Sequence, residues 1–525
     1  MTAPTAPRAA DATGVPPRRG PVDLPGPEGD NSIAREPLWY AYGAGDDAPE
    51  APPWTWVPQP PPDTHVPPPP PRGGGPREPL PLGTHDRLAA LPFPALPPRG
   101  ESAEPAGERL GRALVTAFGP QRREPENPYN DHRPYASPRC LFPVHAFVDG
   151  GAGLPWRLLE PDRHALTGTP DAPARNVVLT GRYTSVPPAY QWFRGSLIAI
   201  ELGFTLRALS LGLELLDVPA RLRLPGPDAH ALLPALGLDD AWAWSLPFVV
   251  ELDGEGTSPP GGTPVRAAPP GAPAPEPPAR LTRDDPALAE LIRVNREQTY
   301  GGPPTPLTTA VPTGLGPSAT VPDWAELLWR RHSGRMPRAL HGMTGRRRTV
   351  PAEALDSAAR WLSVPPPGAE IAAAFDALKV TAVVQGVEGR TDGVHRLRAG
   401  DAHLLRADPT APERLEERYG YGVSPVNGCG IRDASLTVFL TVRTRELFER
   451  LGTAGWGAVQ HAAGWAAHGL CLSAAASGLF ARPVRAFQEI PTQRVLGLDL
   501  DEMILLSVVV GVPQDTGGAL LDLRL

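Results

Sequence analysis

Setting the chain against itself exposes a repeat of long period, and self-similarity on that scale means one domain built twice. Val178-Leu179-Thr180-Gly181-Arg182 finds a counterpart in Phe439-Leu440-Thr441-Val442-Arg443, an offset of 261 residues. At the same offset Gly203-Phe204 meets Gly464-Trp465, each inside a long helical pattern. Near the end of each half Leu236-Gly237-Leu238-Asp239 answers Leu496-Gly497-Leu498-Asp499, and an apolar strand follows in both, Phe248-Val249-Val250 and Val508-Val509-Val510. Upstream, Val144 to Leu166 and Val380 to Leu404 each read as strand, Gly-rich turn and second strand, with Trp156-Arg157-Leu158 answering His395-Arg396-Leu397. One such match is expected by chance. Several in the same order imply a tandem duplication folding as an intrachain pseudo-dimer.

Proline marks what lies outside the two copies. The 72 prolines crowd into Met1 to Pro105 and Gly254 to Val321, with runs such as Pro67-Pro68-Pro69-Pro70-Pro71. Proline fixes φ and removes a backbone donor, so these stretches favour extended or disordered chain over packed elements. The expected organisation is a Pro-rich, partly disordered N-terminal region over 1–105, a first copy over 106–253, a Pro/Gly-rich linker over 254–321 and a second copy over 322–525. Within the N-terminal region, Pro37-Leu38-Trp39-Tyr40 and Trp54-Thr55-Trp56 carry aromatics that suit docking on the body.

Each copy reads as short helix, strand hairpin, strand, long helix, turn and strand. Phe193, Leu197, Ile200, Phe204, Leu211 and Leu215 recur at helical spacing in the first, and Val459, Ala463, Ala466 and Leu470 in the second. Helices this apolar pack centrally. The strands Val177-Val178-Leu179 and Leu436-Thr437-Val438-Phe439-Leu440 are short and β-branched, which suits the interior of a mixed sheet covered by helices. The expected class is α+β.

Charge and cysteine content narrow the function. Lys+Arg 50 against Asp+Glu 57 leaves a net charge of −7, so no overall basic field favours nucleic acid. Cys140, Cys429 and Cys471 stand far apart without CxxC or CxxH spacing, so neither a disulfide framework nor a metal site is expected. The N-terminus lacks a charged segment followed by an apolar one, and the most apolar stretch, Ala454 to Ala481, contains Gln460, His461 and His468. Both features point to a cytoplasmic protein without a membrane span.

Four short segments carry a family likeness. Arg331-His332-Ser333-Gly334-Arg335 combines guanidinium groups with a hydroxyl, a set suited to charge-assisted recognition of phosphate. Asn427 lies six residues before Asp433-Ala434-Ser435 and a strand. The first copy holds Ala136-Ser137-Pro138-Arg139-Cys140-Leu141-Phe142-Pro143, and the second holds Ala481-Arg482-Pro483-Val484-Arg485-Ala486-Phe487 after its long helix. Together they resemble the nitroreductase superfamily, in which two identical subunits interlock through long central helices and share two FMN sites. The resemblance implies that Arg331, Ser333 and Arg335 grip the FMN phosphate and that Asn427 bonds the flavin edge. It also implies that the segment with Ser137 and Arg139 lies along the ring, and that Arg485 and Ala486 face its N5 side. Because the phosphate motif sits in the second copy and the serine segment in the first, it implies one composite FMN site.

The serine segment is similar to Pro-Ser-Ala-Gly-Ala-Leu-Tyr-Pro of the SagB-type azoline dehydrogenases, matching at Ser137, Leu141 and Pro143. Tyr190, Glu201 and Gly203 fall in step with that branch's Lys-Tyr and Glu-x-Gly, with Ala189 in the lysine's place. This branch oxidises thiazoline or oxazoline rings in a ribosomally made peptide to the aromatic azoles, as in thiopeptide pathways. The resemblance therefore implies a modified precursor peptide as substrate and a cyclodehydratase as partner. A base must reach the ring proton. Candidates are Tyr190, alone or with Arg194, and His132. A reductase of small molecules driven by NAD(P)H and a flavin-free scaffold are the alternatives, and the pseudo-dimer could itself pair as a homodimer.

Overall fold

The computed structural model describes residues 68, 71, 75–125, 131–150, 155–170, 173–238, 240–253, 275–334, 345–398, 400–418, 430–485, 487–499, 501–513 and 520–525. In the first half β1 (Val144–Val148), β2 (Arg157–Glu160), β3 (Ala165–Thr167), β4 (Asn176–Gly181), β5 (Ala220–Arg223) and β6 (Phe248–Leu252) form a sheet ordered β3-β2-β1-β4-β6-β5. In the second half β7 (Lys379–Val384), β8 (Gly393–Arg398), β9 (Asp401–Ala407), β10 (Leu436–Arg443), β11 (Phe480–Val484) and β12 (Glu502–Pro513) run β9-β8-β7-β10-β12-β11. The two orders are the same. The central strands correspond, Val178 to Phe439, but the last strands are shifted from their sequence match by two residues: Val178 faces Val249, while Phe439 faces Ser507 and not Val509.

The sequence suggested a mixed sheet, but every strand ladder described is antiparallel. Short links join β1 to β2 and β2 to β3, and short links between paired strands allow only the antiparallel sense. The structure also adds a strand after each long helix, β5 and β11, where the sequence reads as a turn.

Five helices matter for the site: α1 (Ala106–Phe118), α2 (Phe193–Leu215), α3 (Pro286–Arg296), α4 (Ala352–Leu362) and α5 (Gly455–Ala476). α2 and α5 pack on one another, α2 also on the first sheet and on α1, α5 also on the second sheet and on α4. Both are buried on nearly all sides. α2 is long and apolar enough to cross a membrane by length and composition, but 94% of that window is buried, as befits a core helix.

The helices cross where two glycines face each other. A Cβ on Gly203 would overlap the His461 carbonyl oxygen and come 2.8 Å from the Trp465 nitrogen. A Cβ on Gly464 would overlap the Ile200 carbonyl oxygen and come 2.9 Å from its carbon. Ile200 and His461 are themselves 261 residues apart, so the contact is self-complementary under exchange of the two halves, as in a two-fold dimer. Arg207 clasps the crossing. It is fully buried between the rings of Trp361 and Trp465, and donates to the Trp465, Trp361 and Ala310 carbonyls.

Much of the Pro-rich chain that is described packs. Arg77–Pro79 adds a strand beside β3, Leu80, Leu88 and Phe93 are buried, and the Phe93 ring meets Trp324 at 5.0 Å. The stretch expected as linker contains α3, which buries Leu288, Leu291, Ile292 and Val294, and the strand Thr305–Pro306 beside β5. Its proline stands at the first helical position, where a missing N–H costs nothing, and Asp285 caps it by accepting from the Leu288 amide. The proposed docking aromatics Trp39, Tyr40, Trp54 and Trp56 lie outside the described residues.

Candidate functional site

Ser137 opens a tight segment that ends at β1. Its hydroxyl accepts from the Phe142 amide at 2.8 Å and donates to Glu201 Oε2 at 2.7 Å, while the Val144 amide reaches Glu201 Oε1 at 3.4 Å. Inside the turn Arg139, Cys140 and Phe142 have φ of 51°, 54° and 46°. Three non-glycine residues in the left-handed region store strain, and strain of this kind collects at binding and active sites. Arg139 occupies the position where the resembling motif has glycine, so the backbone keeps a glycine-like shape with an arginine in place.

Glu201 was legible only as an alignment mark, yet it anchors this turn from the middle of α2. A carboxyl inside an otherwise apolar helical stripe was the available signal. Burial pushes it up to about 8, against the Ser137 hydroxyl, the Val144 amide and the Arg133 charge, which pull it down. Below the ordinary carboxyl range of 4.5, folded and unfolded chains both hold the proton. Between there and about 8 only the folded chain keeps it, so stability falls as pH rises through that window. Glu201→Gln is expected to flatten this decline, worth on the order of a few kcal/mol, in urea melts taken from pH 5 to pH 8.5. An unchanged slope would move the titration elsewhere.

Arg331 joins the second half to this segment. It is buried, it ends the helix Trp324–Arg330, and its Nη2 donates to the Arg133 carbonyl at 2.9 Å. The Arg133 guanidinium in turn stacks 4.1 Å from the Phe142 ring centroid. Nε and Nη1 of Arg331 are buried without an acceptor among the described residues, and burial lowers its pKa. Two orphaned donors on a buried guanidinium are costly unless an anion meets them. Ser333 is half-buried two residues on, beside the Ala481 amide that donates to the His332 carbonyl. Arg335, Asn427 and Ala486 lie outside the described residues.

A second meeting of the halves lies at the start of α2. The Arg485 guanidinium stacks 4.6 Å from the centroid of Phe193, whose ring lies 6.2 Å from that of Tyr190 in the turn Pro188–Tyr190. Glu201 follows Phe193 by eight residues, about 12 Å along the helix. Arg485 and Tyr190 are thus brought together, and Arg331 with Ser137, on two stretches of one interface.

The other two candidates are engaged in supporting roles. Arg194 is fully buried, with Nη1 and Nη2 bonded to the two Asp285 oxygens at 2.8 and 2.7 Å and Nε to the Gln191 carbonyl at 2.8 Å. Its guanidinium fixes α3 to α2, which removes it as a mobile catalytic cation. His132 sits in a small sheet where Leu521–Asp522 of the second half pairs with Arg122–Arg123 and these pair with Asp131–His132. Its Nε2 lies 3.4 Å from Glu124, and Arg122 donates to the Trp329 carbonyl, so this group buttresses the chain that leads to Arg331. Asp285→Ala would leave Arg194 charged and buried and strip the cap of α3. The expected loss is roughly 2–3 kcal/mol, the lower side for a buried pair because Asp285 is partly solvated, read from denaturant midpoints.

No family model and no curated protein matches the sequence. Among solved structures, one from Anabaena variabilis named a nitroreductase superposes with a TM-score of 0.58 at 14% identity, covering 84% of this chain and 94% of its own. Such coverage spans both halves. The fold is that of the nitroreductases. A nitroreductase structure from Ralstonia eutropha matches 41% of this chain, at 19% identity, over 97% of its own length, with a TM-score of 0.27. The Escherichia coli microcin synthetase McbBCD complex matches 32% of this chain and 66% of its own, at 14% identity with a TM-score of 0.28. Neither of the last two is close enough to carry an argument.

Proposed function

We propose that this nitroreductase-fold chain is an FMN-dependent dehydrogenase that oxidises azoline rings to azoles in a ribosomally synthesised peptide. The observation that carries the flavin reading is Arg331, a buried arginine from the second half whose Nε and Nη1 lack acceptors while its third donor holds the backbone leading to the strained Ser137 turn of the first half. A phosphate meets that need. In this reading Arg331, Ser333 and Arg335 hold the phosphate, Asn427 and the Ser137–Arg139 turn flank the ring, and Arg485 with Ala486 lies at its reactive edge. The duplicated strand order and the glycine crossing support a tandem pseudo-dimer with a composite site between its copies.

FMN, when bound, supplies the hydride acceptor. The chain's own residues orient the ring and move a proton. Tyr190, on the layer of Phe193 and Arg485, is the group we assign to accept the proton from the azoline α-carbon. His132 and Arg194 act as supports. Oxidation removes one hydride and one proton from each ring. The peptide and its cyclodehydratase follow from the sequence likeness to the azoline dehydrogenases.

Purification tests the flavin reading directly. A yellow protein with close to one FMN per chain is expected, and a colourless protein that takes up no FMN would overturn it. A thiazoline peptide incubated with the holoprotein and oxygen should lose two hydrogens per ring by mass spectrometry. Rapid NAD(P)H oxidation with nitroaromatics or quinones, and no change in the peptide, would favour a small-molecule reductase.

A further inference from the structure

The exchange that relates the two halves carries Phe193 to Ala454, Ser196 to Gly457, Leu224 to Arg485 and Pro225 to Ala486, all at the offset of 261. The strand registers fit this correspondence, since Ala220 faces Leu252 and Ala481 faces Val510, themselves equivalent through β4 and β10. By this exchange the counterpart of the Phe193–Arg485 contact falls between Leu224-Pro225 and the start of α5. That place is filled. The Tyr300 amide donates to the Pro225 carbonyl at 2.8 Å, and its hydroxyl reaches the Ala454 carbonyl at 3.5 Å. Gln298 lies so close to Gly457 that a Cβ there would come 3.2 Å from its amide carbon and overlap its oxygen. The Gly302 amide donates to Glu370 at 2.9 Å.

We propose that the segment Gln298–Gly302 is a built-in plug that occupies the second, pseudo-symmetric ring cleft, so that the chain takes its planar cofactor on one side only. The proposal rests on the flavin reading of the Arg331–Ser137 side. Beside the plug remains a small cavity of about 30 Å³, with walls that include Tyr183, Ile198, Leu202, Phe248 and His461. That room holds about one water, so the plug leaves no space for a planar ring on this side. The His461 ring donates to the Ala199 carbonyl at 2.8 Å and meets the Phe248 ring edge-on at 4.8 Å. Gln298 is buried, and its Nε2 has no partner among the described residues. An amide that leaves a donor unsatisfied fills space without satisfying the cleft. The plug follows directly on α3, and the Arg194–Asp285 pair clamps the start of that helix to α2. This gives Arg194 a purpose away from the chemistry: it holds the segment that closes the twin site.

Equilibrium dialysis of the full chain with lumiflavin, a flavin ring without phosphate, tests the plug. The wild-type chain is expected to bind one equivalent and the Gln298→Ala/Tyr300→Ala variant two, the second more weakly for want of a phosphate grip on that side. If the folded variant still binds one, the plug proposal falls and the flavin reading stands. Two equivalents on the wild-type chain would sink the plug alone, while none on either protein would sink both. Should the double variant fail to fold, Gln298→Ala alone removes the amide against Gly457 and is read by the same stoichiometry.

Discussion

Gly464→Ala is expected to abolish the interlocked fold: little soluble protein at 37 °C, and any that is recovered losing its cooperative melt. The added Cβ would overlap the Ile200 carbonyl oxygen and come 2.9 Å from the carbonyl carbon, atoms of a helix backbone that has no rotamer by which to retreat. Overpacking a core costs about 1–3 kcal/mol where side chains give way, and more where backbone must move. A typical domain has only about 5–15 kcal/mol in total. Gly203→Ala meets the His461 carbonyl in the same way and should behave alike. The equality of the two effects is the sharper test, because it follows from the exchange symmetry of the crossing. Gly107→Ala, at an open helical position with nothing near its Cβ, is the control and should be neutral or slightly stabilising. A well-folded Gly464→Ala protein would mean that the helices do not cross at this point.

That crossing also explains why so much of the fold could be read from the chain. Gly203 and Gly464 recur at one offset because the two backbones touch there and neither can carry a side chain. Val178 and Phe439 recur because both occupy the central strand of a sheet. Such constraints act on residue type, so they leave a trace in the sequence. The strand after each long helix left less. Ala220-Arg221-Leu222-Arg223 and Phe480-Ala481-Arg482-Pro483-Val484 are short and carry arginines, and β11 even contains a proline, so pairing with the neighbouring strand outweighs local preference. α3 was hidden by composition. The proline-rich chain that ends at Pro278 and resumes at Pro303 masks Leu288, Leu291 and Ile292, although Asp285-Pro286 is itself a capped helix start.

At the site the same division holds. The residues proposed to meet the cofactor, Arg331, Ser333 and the Ser137 turn, stand out by type because few other side chains suit a phosphate. Partnership does not. Nothing in the sequence says that Arg194 belongs to Asp285, 91 residues away, or that Glu201 rather than a backbone amide receives the Ser137 hydroxyl. Nor could the strain at Arg139 be foreseen, because arginine there argues against a left-handed turn that the tertiary structure nonetheless imposes.

Arg331→Met separates a ligand-binding arginine from a core strut. As a strut, its removal would break the bond to the Arg133 carbonyl and lower the stability of the flavin-free protein by about 1–3 kcal/mol. As half of a phosphate grip, Arg331 is a buried charge whose Nε and Nη1 go unmet until an anion arrives. Replacing such a charge by an apolar chain of similar length relieves desolvation, so the flavin-free variant should be as stable as the parent or more so. FMN binding should meanwhile collapse. Each charge-assisted bond is worth about 1.5–3 kcal/mol, so losing two weakens binding by roughly a hundredfold or more. Arg331→Lys keeps the charge without the planar fork and should fall between. Lumiflavin, which has no phosphate, should bind parent and variants equally, and that comparison decides the matter. If the methionine variant lowers FMN and lumiflavin affinity alike, Arg331 holds the interface rather than the phosphate, and the anion must be sought elsewhere along the second half.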